Sequence, residues 1–172
     1  MNAATVNEVW ALGWWNWFAS YMGHSISLLK NSGVGGNSSA QMLARIDADV
    51  LAYDPGWVFV GGPANDATGN VPAATTIANM AAIYEKLRGR RVVQLTAGPR
   101  TDNTTTGQRT ALVEVNAWLV NAPTLYPHVM VVDIFRLYVD PASTDPATDT
   151  TTDGTHYAES TANRIGYEVA EK

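Results

Sequence analysis

The chain has no cysteine, little charge and no long apolar run. Without a thiol there is no disulfide, no thiolate nucleophile and no cysteine-held metal. Charged residues make up 16% of its 172 residues, where an average domain carries about a quarter. Basic residues are the scarcer sign: 11 Lys and Arg stand against 16 Asp and Glu, a net charge of −5. That balance excludes nucleic acid and anionic membrane surfaces as partners, because no patch can neutralise a row of phosphates. Arg88, Arg90 and Arg91 are the exception, and they read as a solvated helix end. No stretch reaches the roughly 20 apolar residues of a membrane span. Met1 to Val9 lacks the basic start and apolar core of a signal peptide. Compartment and oligomeric state are not written in these numbers.

What is present is an ordinary globular interior, 46% hydrophobic, in a chain of one-domain length. Trp10, Trp14, Trp17, Phe18 and Tyr21 recur at helical spacing and predict a buried helix face that begins by about residue 8. Ile26 to Lys30 is a short apolar run expected to be a strand, ended by the glycine-rich stretch Asn31 to Asn37. Met42, Leu43, Ile46, Val50 and Leu51 return to the helical period. Trp57 to Val60 follows the turn Asp54-Pro55-Gly56 as a compact strand and ends in Gly61-Gly62. The alternation then repeats: helix 73–87, strand 91–96, helix 108–120, strand 129–133, a Thr/Asp/Pro-rich loop 140–152, and a last helix about 158–170. Continuous apolar strands alternating with helices predict an α/β fold, a parallel sheet covered on both faces.

Ligands of such sheets bind beyond the C-terminal strand ends, and three segments there carry chemistry. Gly33-Val34-Gly35-Gly36-Asn37 can bring backbone N–H groups close to a ligand, although strand-to-helix turns need glycine anyway. Gly62-Pro63-Ala64-Asn65-Asp66 puts an amide directly after a buried strand, where asparagine also serves local turn bonds. Asp153-Gly154-Thr155-His156 sets a carboxylate three residues before an imidazole, a spacing that can orient the ring as a general base. Taken alone, the same tetrapeptide reads sooner as an N-cap, with Asp153 or Thr155 capping the last helix and His156 on its first turn. Asp140, Asp145, Asp149 and Asp153 also recur in one loop, but at spacings that match no calcium-binding loop and read as solvated chain. His24 and His128 read as structural.

As an ordered set, Asn-x-Gly-x-x-Gly, Gly-x-x-Asn-Asp and Asp-Gly-x-His resemble the SGNH/GDSL hydrolase family from about Trp10 to the C-terminus. The resemblance implies a flavodoxin-like three-layer α/β/α sandwich. It implies that Gly36 gives a backbone N–H to an oxyanion, that Asn65 adds a side-chain N–H, that His156 is the base and that Asp153 orients it. It implies a serine-type hydrolase of carboxylic esters, including O-acetyl groups on glycans, that needs no cofactor and no metal. Its substrate would be a small ester or acylated glycan.

The family's fourth block, a Gly-Asp-Ser after the first strand, has no counterpart. Met1 to Asn7 holds neither a strand nor a serine. Ser25 would open a strand at the wrong edge of the sheet, and Ser38 and Ser39 read as helix-opening residues. The nucleophilic serine is therefore not identified. The expected domain is a single unit over 1–172 that is N-terminally incomplete, with its first strand and serine encoded upstream. In the family's strand order that strand would lie between 26–30 and 57–61, and its loss would leave two rows of buried backbone groups unpaired. A chain without the serine has an alternative reading as a non-catalytic glycan-binding or structural module derived from such an enzyme.

Overall fold

A computed structural model describes residues 13–103, 105–140, 145–147 and 150–172. In chain order the elements are α1 (Trp14–Tyr21), α2 (Ser39–Asp49), a 3-10 turn (Leu51–Tyr53), β1 (Trp57–Val60), α3 (Ala64–Thr68), α4 (Ala73–Lys86), β2 (Arg91–Leu95), α5 (Thr106–Asn121), a second 3-10 turn (Ala122–Thr124), β3 (Val129–Val132), α6 (Ile134–Tyr138) and α7 (Glu159–Ala170). Trp10 and the expected helix start near residue 8 lie outside the described residues. Observed α1 begins at Trp14 with Gly13 as its N-cap.

The described strands form one parallel sheet in the order β1-β2-β3, with Val58 opposite Val92 and Val92 opposite Val129. Because side chains alternate across a strand, each strand feeds two cores. Val58, Val60, Val92 and Val129 pack with Ile46, Met80, Ile83, Tyr84, Val115 and Leu119 of α2, α4 and α5. Phe59, Val93, Leu95, Met130 and Val132 pack on the opposite face with Phe18, Ile165 and Val169 of α1 and α7. This is a three-layer α/β/α sandwich. Burial on both faces explains why the strands read as unbroken apolar runs. Gln94, fully buried on the α4 face, is satisfied by the Tyr84 hydroxyl, which donates to its Oε1 at 2.9 Å.

α1 and α7 cross closely at Gly166, where a Cβ would stand 2.6 Å from Trp17 Cβ and 2.7 Å from the Phe18 nitrogen. The aromatic stripe is buried only in part: Phe18 is buried and Trp14 and Trp17 half-buried, but Tyr21 is 47% exposed. Trp15, outside the stripe, joins Trp14 and Phe18 round Phe59 with ring centroids 5.1, 6.0 and 5.2 Å away.

The strand expected at 26–30 is not formed. Ile26 packs against the α1/α7 core, but Leu28 and Leu29 are exposed and Lys30 turns to Asp49 and the Tyr53 ring. A five-residue apolar run becomes a strand only when a neighbouring strand takes its backbone bonds. Among the described residues β1 pairs with β2 alone, so this run has no such partner. No helix among the described residues is long and apolar enough to cross a membrane.

Candidate active site

The glycine-rich segment ends in a turn in which Asn37 N donates to Val34 O at 3.3 Å. Gly36 occupies the third position of that turn with φ +78, the left-handed conformation that favours glycine there. Its missing side chain is a matter of backbone shape, since a Cβ would meet nothing within 4 Å. Ser38 then caps α2 in a capping box with Gln41, and Gln41 Oε1 accepts from Ser38 N at 2.8 Å. Ser39 is fully buried, its N–H donating to Asp66 Oδ1 at 2.8 Å and its hydroxyl to Asp66 Oδ2. Neither serine is free to act as a nucleophile.

Asn65 lies in the first turn of α3, five residues past the end of β1. One of its Nδ2 hydrogens goes to Asn37 O at 3.1 Å, and its Oδ1 accepts from Arg100 Nη1 at 3.0 Å. Gly36 and Asn65, 29 positions apart in the chain, are thereby joined through Asn37. Between β1 and β2 the backbones close tightly: a Cβ on Gly62 would lie 2.3 Å from Ala97 N and Cα.

The Asp153–His156 tetrapeptide is a loop, not a helix cap. The N-cap of α7 is Ala158, which makes no side-chain cap bond. Thr151 and Tyr157 form an antiparallel bridge, and Thr152 N donates to His156 O at 2.8 Å. The tip is tied to the segment after β2 by Thr101 N donating to Gly154 O at 2.9 Å. Within the loop, Asp153 Oδ1 accepts from Thr155 N at 2.9 Å and from His156 N at 2.8 Å. Its Oδ2 lies 2.7 Å from His156 Nδ1. The imidazole hydrogen bond, followed by those backbone N–H groups, holds the Asp153 carboxyl far below the usual range, so it is a permanent acceptor. A proton on Nδ1 answers that acceptor and leaves Nε2 as the basic nitrogen.

A cavity of about 230 Å³ opens beyond the ends of β1 and β2, where α/β sheets bind ligands. Gly62, Asn65, Arg100, Thr155, Tyr157, Ile134 and Trp14 contribute to its walls. The His156 ring is not part of the lining, although its chain neighbours Thr155 and Tyr157 are, and its side chain is 79% exposed. No described serine lines the cavity either. Ser25 donates to Met22 O at 2.6 Å, three residues back, and Ser32 to Asp49 O at 2.7 Å, at the end of α2. Asp145 pairs with Arg109, Asp153 is committed to His156, Asp149 lies outside the described residues, and no cluster of three candidate ligands occurs among those described.

Three positions in or beside this cavity escaped sequence reasoning. Arg100 carries no pattern of its own, being a lone cation after a strand. Asp66 was visible only as the second letter of Asn-Asp. Trp14 was assigned to a buried face, which it does serve, but it also walls the cavity at the start of α1.

Residues 6–161 match the GDSL-like lipase/acylhydrolase family. The chain belongs to it. The family is one of ester hydrolases, and the fold agrees. A protein from Desulfitobacterium hafniense assigned to the G-D-S-L lipolytic family superposes with TM-score 0.76 at 19% identity, over 93% of this chain and 87% of its own. An acetyl xylan esterase superposes with TM-score 0.72 at 15% identity, over 96% and 93%. A psychrotrophic esterase from a Pseudoalteromonas species, solved with monoethylphosphonate as inhibitor, superposes with TM-score 0.67 at 17% identity, over 93% and 85%. No curated protein matches the sequence.

Proposed function

We propose that this domain hydrolyses short-chain carboxylic esters, O-acetyl groups on glycans among them, through a serine-bound acyl intermediate. The observation that carries the reading is the Asp153–His156 pair in a loop whose Thr155 and Tyr157 line the same cavity as Asn65. The serine Oγ attacks the acyl carbon while His156 Nε2 takes its proton. The carbonyl oxygen, now an oxyanion, is received by Gly36 N–H and by the second Nδ2 hydrogen of Asn65. Collapse expels the alcohol, which recovers the proton from His156, and water repeats the sequence to release the acid. Removing one oxyanion donor costs on the order of 10²–10³ in rate. A cavity of about 230 Å³ supports a short acyl group rather than a long chain. The nucleophile itself is not one of the described serines.

The test is hydrolysis of p-nitrophenyl acetate by the natural full-length protein and its His156→Ala variant. The variant is expected to lose about 10³-fold or more, the loss typical of a missing base. Undiminished hydrolysis overturns the assignment. A second reading, a non-catalytic glycan-binding module, is favoured by one feature: Trp14, not a serine, meets the cavity at the start of α1. Failure of a fluorophosphonate to label the full-length protein, together with measurable affinity for an acetylated oligosaccharide, would decide for it.

A further inference from the structure

We propose that Arg100 is a positioning residue for the oxyanion donor, locking the Asn65 amide in the one orientation that presents N–H to the cavity. The inference rests on the reading of Asn65 as that donor. Arg100 leaves the chain five residues past β2 and is mostly enclosed, its side chain 15% exposed. Its fork is engaged by Asp102: Nε donates to Oδ1 at 2.8 Å and Nη2 to Oδ2 at 2.5 Å. A bidentate pair of this kind fixes the guanidinium plane and neutralises its charge locally. Arg100 is therefore poorly suited to holding a substrate anion, although it lines the cavity. What the pairing leaves in place is Nη1, aimed at Asn65 Oδ1 at 3.0 Å.

An asparagine amide can flip, and the two orientations differ here by two contacts. In the observed one, Oδ1 accepts from Arg100 and Nδ2 donates to Asn37 O at 3.1 Å. Flipped, the NH₂ group would face a guanidinium that has only donors, and Oδ1 would face a carbonyl that can only accept. Both bonds would be lost and both replaced by repulsion. Asn37 O alone selects the orientation at one end. Arg100 selects it at the other and withdraws electron density through the carbonyl, which strengthens the remaining Nδ2 hydrogen as a donor to an oxyanion.

The experiment follows the Asn65 side-chain amide in ¹⁵N-labelled protein, assigned by its loss in Asn65→Asp, in Arg100→Lys, Arg100→Ala and Asp102→Asn. Asp102→Asn keeps the guanidinium present and loosens only its anchor, so it reports even if Arg100→Ala folds poorly. Expected are two well-separated, slowly exchanging amide proton signals in the parent protein. They should converge towards free-amide positions in Arg100→Ala and lie between in Asp102→Asn and Arg100→Lys. Ester hydrolysis should show kcat falling about tenfold, a fraction of the full donor loss, with KM little changed. Unaltered Asn65 signals in Arg100→Ala overturn the proposal. Converged signals with unaltered kcat uphold the positioning and instead overturn Asn65 as the oxyanion donor.

Discussion

Asp66 and Asp153 each accept bonds from a backbone N–H and from a neighbouring side chain, yet they sit at opposite extremes of exposure. Asp66 is 1% exposed and gathers Ser39 N–H, the Ser39 hydroxyl and the Thr76 hydroxyl, the last at 2.8 Å, inside the junction of α2, α3 and α4. Asp153 has a side chain 54% exposed and takes all its described bonds from residues two and three positions on. The first builds one half of the site into the core; the second holds the other half by a local turn. The contrast has a physical reason. Oxyanion donors contribute only if they are fixed before charge develops, since any reorganisation subtracts from their effect. A base in an exposed loop must instead exchange protons with solvent and leaving group, which water access favours.

If that contrast is right, the largest stability effect belongs to Asp66. Asp66→Ala would leave the Ser39 N–H and two hydroxyls buried without their acceptor, each costing about 1–3 kcal/mol. A total loss of about 3–5 kcal/mol is expected, a Tm drop of roughly 6–20 °C for a domain of this size. Asp66→Asn, which keeps an acceptor oxygen, should recover much of it. A Tm unchanged in Asp66→Ala would erase the distinction between the two halves. Gly62→Ala comes next. Its Cβ would lie 2.3 Å from Ala97 backbone atoms that no side-chain rotation can clear. Overpacking of this kind costs about 1–3 kcal/mol, and thermal unfolding would read it directly. The same shift would move Asn65, three residues on, so kcat should fall with Tm.

The asymmetry between the halves also explains what the sequence could convey. β1, β2 and β3 were legible to within a residue because each is an unbroken apolar run bounded by turn residues, a local signal. The capping boxes at Ser38 and Thr105 are equally local. The bonds that Asp153 makes to Thr155 and His156 lie within four residues, so that pairing could be read from four letters. The roles of Asp66 and Arg100 depend on partners 27 and 35 positions away. No spacing rule reaches that far, and Arg100 looked like any surface cation. The run 26–30 failed for the complementary reason: apolar letters permit a strand, but pairing makes one. Exposed Leu28 and Leu29 record the missing pairing.

The smallest stability effect should fall on the exposed loop. His156→Ala removes a ring that stands in solvent, and surface substitutions of that kind stay within about 0.5 kcal/mol, or roughly 2 °C in Tm. The variant proposed to lose hydrolysis should therefore melt almost where its parent does. Asp153→Asn sharpens the point through pH. The carboxyl's pKa is lowered from an ordinary 3.8, first by the His156 ring and then by two backbone N–H groups. A lowered carboxylate pKa means that the folded state favours the ionised form. Its stabilisation is full above the unfolded value and fades as pH falls from that value through the folded one. The Tm gap between parent and Asp153→Asn should be small at pH 7, because the group is solvated, and should narrow further below about pH 3. A gap as large as that of Asp66→Ala, or one that widens in acid, would mean that the loop is packed into the core after all. His156 would then be held as rigidly as Asn65, the proposed oxyanion donor.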